Sequence, residues 1–426
     1  MAKLDAAREN AENAPRLYLL AIVWVFACAD HAQGQDRPPQ VRLTTVPAVV
    51  YTSTQETYYE PASNPPNGHT SSQNVTWMFH LVLESTDTRP LRVEEAEATF
   101  TVGGDTLWRQ AYSRAYLERM EWVKGKYRLT TEHYLERFMF GVEERVTPDL
   151  PPGGTISWLR IAFAQPWFAR ADRVHLRLRL SDPSGRDYTV EQVVPLVSRP
   201  QRTRLRLPFT GTWLVVKGSD LAPITHRWTG LNGLTTFGWD FMKLGEDGAL
   251  YKGSGRQPAD RYSYGAAALA PADGRVVHMR NDIDDYAGSP PRTVLEKDGD
   301  VFSGNLVVLD HGHQEFTLIC HLEKGSVAVK VGDRVTQGQP LGRVGELGIL
   351  HMNVMDGGEW LKANGLPALI SDFERVLPAG DAQTVALGNP ATGWMVRPRE
   401  QRPVSASHLN QGDEIILRLL LAAKAF

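Results

Sequence analysis

The sequence predicts a mainly β protein: an N-terminal immunoglobulin-like β-sandwich followed by a second β-rich body. Three observations carry this. Val174 to Leu180 (VHLRLRL) alternates strictly, placing Val174, Leu176, Leu178 and Leu180 on one face and His175, Arg177 and Arg179 on the other. Short apolar runs recur between turn clusters such as Gly103-Gly104-Asp105, Pro151-Pro152-Gly153-Gly154 and Asp182-Pro183-Ser184-Gly185. The 37 glycines and 27 prolines suffice for many tight turns but are too few for a low-complexity chain.

The 426 residues leave room for two or three domains at roughly 100–200 residues each. They divide into a leader (1–35), a sandwich (40–200), a second β domain (205–360) and a C-terminal extension (361–426). In the leader, Leu17 to Cys28 (LYLLAIVWVFAC) is an apolar run too short to cross a bilayer and right for a signal-peptide core. The small residues Ala27-Cys28-Ala29 suit cleavage, and Val25-Phe26-Ala27-Cys28 is a loose lipobox that would place a lipid on Cys28. Asp5, Glu9 and Glu12 dilute the basic charge usual before such a core. The expectation is export to the periplasm or cell envelope, with the leader as the one membrane contact. Ile415 to Phe426, broken by Arg418 and Lys424, reads as a strand or short helix.

Within the sandwich, Trp77 to Leu83, Ala98 to Val102, Thr155 to Phe163, Val174 to Leu180 and Tyr188 to Leu196 are predicted strands. Trp108, Tyr112 and Tyr116 recur every four residues and predict one helical insert. The arginines at 177, 179, 202, 204 and 206 have strand spacing but no interleaved aromatics, so a solvent face is expected rather than a nucleic-acid groove. A net charge of −3 likewise supplies no strong field toward nucleic acid or anionic lipid. With only Cys28 and Cys320, no disulfide framework exists.

Ser198 to Arg206 reads as a polar linker. Beyond it, strands pair through tight turns: Gly304 to Asp310, Phe316 to Leu322, and the Ser326–Gly342 stretch with turns at Gly332-Asp333 and Gln337-Gly338. The common catalytic signatures are missing. There is no Gly-x-Ser-x-Gly elbow and no His-Glu-x-x-His helix, and Gly253-Ser254-Gly255 lacks the residues of a phosphate loop. Asp282, Asp284 and Asp285 lack the central glycine of a calcium loop. Histidine remains, the commonest metal ligand and general base: His278, His311, His313, His321 and His351 crowd one stretch. His278 and His313 read as turn or surface residues. Cys320 reads as a buried structural thiol, because it and His321 should point to opposite faces of a strand.

Ala270-Pro271-Ala272-Asp273-Gly274-Arg275-Val276-Val277, GNLVVLDHGHQEFTLICHL (304–322), VKVGDRVTQGQPLGRVG (329–345) and Leu350-His351-Met352-Asn353 together resemble the lysostaphin-type (LytM-like) zinc metallopeptidases. The resemblance spans about 205–360. It implies a lysostaphin-type β-sheet or barrel-sandwich domain that cleaves peptide bonds of bacterial peptidoglycan outside the cytoplasm. It also implies a zinc site built from His-x-x-x-Asp and the last His of His-x-His. Here the first motif reads Thr236-Phe237-Gly238-Trp239-Asp240 and the second ends in Asn353. Only Asp240 survives, with His226 as a substitute if the chain folds back. Thr and Asn are poor zinc ligands beside imidazole. His321 and His351 match the two histidines that orient the attacking water and stabilise the oxyanion. The combination implies an exported, non-catalytic domain that binds a cell-wall peptide or a protein partner in the old cleft. The alternative is an active zinc endopeptidase using Asp240, His226 and a third ligand such as Asn353. The VGDRVTQGQPLG stretch also resembles a biotinyl or lipoyl carrier hairpin, but no modifiable lysine sits at its turn.

Overall fold

The computed structural model describes residues 38–59, 70–125, 145–166, 170–218, 236–287, 290–295, 299–377 and 381–399. The leader, His226 and the Ile415–Phe426 run lie outside the described residues. Among the described residues the protein is mainly β, as predicted, and no helix is long and apolar enough to cross a membrane.

The N-terminal body is two facing sheets. The first runs Val41–Val46, Thr70–Ser85, Thr155–Pro166, Trp122–Lys124, with Ser53–Tyr59 also paired to Thr70–Ser85. The second runs Val50–Tyr51, Asp187–Val197, Arg173–Ser181, Leu91–Val102, Asp105–Ser113, with Asp149–Leu150 also paired to Leu91–Val102. Both contribute to one core, where Trp77, Phe79 and Phe163 from the first meet Phe100 and Leu178 from the second. Phe100 stacks on Trp108 at 4.6 Å and meets the edge of Phe163 at 4.8 Å. All five predicted strands fall within observed ones. Along Arg173–Ser181 burial alternates as expected, and the outward arginines are matched by acids: Arg177 with Glu191, and Arg179 with Glu95 and Asp187. This face is a cross-strand ion-pair ladder.

The predicted helical insert is a correction. Asp105–Ser113 is a strand paired with Leu91–Val102, and only Arg114–Leu117 is helical. A step of four residues returns to the same face in a strand as well as in a helix, so the aromatic spacing alone does not discriminate. Trp108, Gln110 and Tyr112 form the less exposed side of this strand.

The second body is built on one large sheet. Its central order is Gly274–Arg280, Asn305–Asp310, Phe316–Leu322, Leu350–Met355, Trp239–Lys243, Trp213–Lys217. Met395–Pro398, Ile370–Val376 and Ala382–Gly388 extend it beyond Trp213–Lys217. One face carries the main core, including Phe209, Trp213, Trp239, Phe241, Ile319 and Met352. The alternate residues of the same strands occupy the other face, and this sets Asp240 between the inward pair Trp239 and Phe241.

The 198–206 segment is pinned to the second body. Gln201 exchanges hydrogen bonds with Leu369 and Leu205 bridges to Ile370. The buried Glu315 carboxylate accepts the backbone N–H of Arg202 (2.8 Å) and Thr203 (2.7 Å).

Candidate functional site: a histidine cleft on the sheet face

Three adjacent strands align the site residues. In the antiparallel register Asp240 faces His351, and His351 faces Cys320 on its other side. Directly paired residues project to the same face. Asp240, His351 and Cys320 therefore form one row across the sheet, with Asn353 beside them, two residues along the His351 strand.

The strand register brings these side chains into contact. His351 Nδ1 lies 2.8 Å from Asp240 Oδ1, and Nε2 lies 3.0 Å from Asn353 Oδ1. With Nδ1–H donating to the carboxylate, the other ring nitrogen meets the Asn353 carboxamide, a group with both donor and acceptor atoms. Both nitrogens of His351 are thus engaged by side chains. The cluster is sealed: His351 is 3% exposed, Asp240 6% and Asn353 0%. Gly238 makes room for the ring, because a Cβ there would lie 2.8 Å from His351 Cε1 and 3.3 Å from the Asn353 Cβ. Thr236, buried, begins the Thr-x-Gly-x-Asp motif.

His321 enters by another route. The pairing steps from Asn305–Leu322 to Leu306–Cys320, leaving His321 as the extra residue of a β-bulge. Its φ is +64°, in the left-handed region that non-glycine residues seldom adopt. Strict alternation, which would send His321 away from Cys320, fails at this bulge. The His321 ring instead lies 6.1 Å from the His351 ring, edge to face, and 6.4 Å from Phe302 in the same manner. Cys320 packs with Leu306, Leu318, Met355 and Trp360, and burial pushes its thiol pKa well up. It is a structural thiol, as expected.

A pocket opens beside His321, lined by Tyr286, Phe302, Gly304, Leu347, Asp285 and Glu346. Burial raises the Asp285 carboxyl pKa, with Glu346 and Glu323 adding like charge. Asp284 is paired with Lys324, whose backbone N–H Asp285 also accepts, so two of the three acids seen in the sequence are tied to one residue. His278 lies on the strand Gly274–Arg280 and His313 on an exposed turn. Sequence reading did not single out Phe302 or Gly238. No spacing signal marks Phe302, whereas Gly238 sits inside the Thr-x-Gly-x-Asp motif and was legible there.

These residues do not suit a zinc ion. Among the described residues, no three His, Cys, Asp or Glu side chains converge as a metal-holding group. The Asp240 oxygen and both His351 nitrogens hold one another or Asn353. A hydroxyl and a carboxamide stand where two imidazoles would be needed.

No curated protein matches the chain significantly. Among solved structures, lysostaphin is 20% identical over 30% of this chain and 39% of its own, with a TM-score of 0.18. Csd3 of Helicobacter pylori is 11% identical over 86% of this chain and 82% of its own, with a TM-score of 0.22. A zinc-containing peptidase from Vibrio cholerae is 12% identical over 71% and 81%, with a TM-score of 0.21. At these TM-scores the likenesses carry no weight for function. The family-level match is specific to the segment that supplies the cleft histidines: residues 261–363 match peptidase family M23, and across them the chain carries an M23 peptidase domain.

Proposed function

We propose that this M23 domain recognises a peptide of the cell wall, or a protein partner, without hydrolysing it. One observation carries the proposal: His351 is held on both nitrogens, by Asp240 at 2.8 Å and Asn353 at 3.0 Å. In a working zinc site the carboxylate and the last imidazole of the pair of motifs would face the metal, with an open position for water. Here the same positions close on themselves. The pocket beside His321 remains to receive a peptide side chain, with Phe302 and Tyr286 as its aromatic lining. The leader in residues 1–35 would deliver such a protein outside the cytoplasm.

The test is metal content and wall binding of the purified full chain. After zinc loading and desalting, the wild type is expected to retain substoichiometric zinc and still to sediment with purified peptidoglycan. Thr236→His combined with Asn353→His restores two imidazoles and is expected to raise zinc toward one per chain. Stoichiometric zinc in the wild type, lost in Asp240→Ala and in His226→Ala, would establish an active-type centre and sink the proposal.

A further inference from the structure

The charge of the His321 pocket selects what can enter it. The pocket holds about 330 Å³ of space, at the small end for ligand sites, so it suits one side chain rather than several residues. Its described lining includes Asp284, Asp285 and Glu346 but no lysine or arginine. Asp284 is matched by Lys324, and nearby Glu323 by Arg343 at 2.6 Å. Asp285 and Glu346, both part-buried, form no ion pair among the described residues.

The surroundings of this pair are negative. Burial pushes the Asp285 carboxyl up, and Glu346 and Glu323 push it the same way. Burial also raises the Tyr264 phenol, and Glu323, Glu346 and Asp285 add to that rise. A cation placed between Asp285 and Glu346 relieves this repulsion.

The walls are held in place before any ligand arrives. Asp285 accepts the backbone N–H of Lys324 at 3.2 Å and also that of Glu346, which joins the two acidic loops. Arg261 donates to the carbonyl of Glu346 at 2.6 Å and to that of Ala287 at 3.4 Å. Its guanidinium thus braces the backbone of both walls and pairs with neither carboxylate. Tyr286 and Phe302 complete the lining. Aromatic rings cover an alkyl stem and attract a cation at its end.

Resting on the reading of this cleft as a peptide site, we propose that the pocket takes a primary ammonium on an alkyl chain, a lysine-type side chain of the bound peptide. Asp285 and Glu346 are its charge partners, and Tyr286 and Phe302 flank its stem.

Isothermal titration of the full chain with three peptides tests it: acetyl-Ala-X-Ala-amide, with X lysine, Nε-acetyl-lysine or norleucine. The lysine peptide is expected to saturate and to bind at least about tenfold tighter than either uncharged peptide, as for one charge-assisted contact. Glu346→Gln and Asp285→Asn are each expected to reduce that preference at least about threefold, the scale of a part-exposed ion pair. Melting curves confirm that each variant is folded. Glu346→Gln is the safer of the two, because the Glu346 side chain makes no hydrogen bond among the described residues. Equal affinity for the lysine and norleucine peptides, no saturation with the lysine peptide, or an unchanged preference in folded Glu346→Gln overturns the proposal. Absence of a lysine preference while the chain still sediments with peptidoglycan overturns this proposal alone. A lysine preference without sedimentation overturns the cell-wall reading and leaves the ligand class of the pocket standing.

Discussion

Gly238 is bare because His351 fills the space beside it. A methyl group there would sit 2.8 Å from Cε1 and 3.2 Å from Nε2 of the imidazole. The ring cannot swing away cheaply, since each nitrogen is tied to a buried partner. Gly238→Ala is therefore expected to cost about 1–3 kcal/mol, the range for overpacking a tight interior. Urea unfolding of the variant against the wild type measures this. An unchanged midpoint would show that the His351 contacts yield freely. At this scale the residues named from the family resemblance are neighbours in the structure: His351 contacts Asp240 and Asn353, and the His321 ring lies 6.1 Å from the His351 ring. What spacing could not supply is that His351 turns both nitrogens to Asp240 and Asn353, because hydrogen-bond direction depends on the register of two strands more than a hundred positions apart in sequence.

The element scale shows where periodicity misleads. Val174, Leu176, Leu178 and Leu180 alternate against arginines, and only a strand with one wet face satisfies that pattern. Trp108, Tyr112 and Tyr116 satisfy either a helix or a strand; pairing with Leu91–Val102 puts Trp108 and Tyr112 in a strand, and only Tyr116 lies in the short helix Arg114–Leu117. At His321 the strand was legible but its bulge was not. A bulge is a mismatch between two strands and leaves no mark in either alone. This one turns a side chain toward His351 at the expense of a left-handed backbone, which costs an L-residue roughly 1–2 kcal/mol relative to glycine. His321→Gly relieves that strain while His321→Ala keeps it. The glycine variant is expected to be the more stable of the two by about 1 kcal/mol, read as a shift in urea midpoint. The reverse order would mean that the bulge does not persist without the imidazole.

For the whole molecule, the segment between the two bodies decides whether they behave as one unit. Its composition, SRPQRTRLR, reads as a polar tether. In the structure it is fastened at successive positions. Arg199 donates to the His313 carbonyl, and Gln201 pairs with Leu369. Glu315 takes the backbone of Arg202 and Thr203, and Arg204 pairs with Asp372. Across the junction, Tyr51 of the sandwich donates its hydroxyl to Asp356 at 3.1 Å, and Trp77 donates to Thr52 at 3.0 Å just behind it. Glu315 is the fastening with most at stake. It is 2% exposed, and its two oxygens are the partners of two backbone N–H groups. Charge-assisted bonds of this kind contribute about 1.5–3 kcal/mol each, and their loss strands both donors. Glu315→Ala should release the segment without touching the core of either body. Trypsin reads this directly, since Arg199, Arg202 and Arg204 are cleavage sites that a pinned backbone withholds. The wild type is expected to resist cleavage there, whereas Glu315→Ala should be cut between the bodies at least about tenfold faster under native conditions, the least effect expected from losing one such bond. Equal cleavage rates would mean that the polar composition, and not the fastening, governs the junction, and that the two bodies move as separate domains.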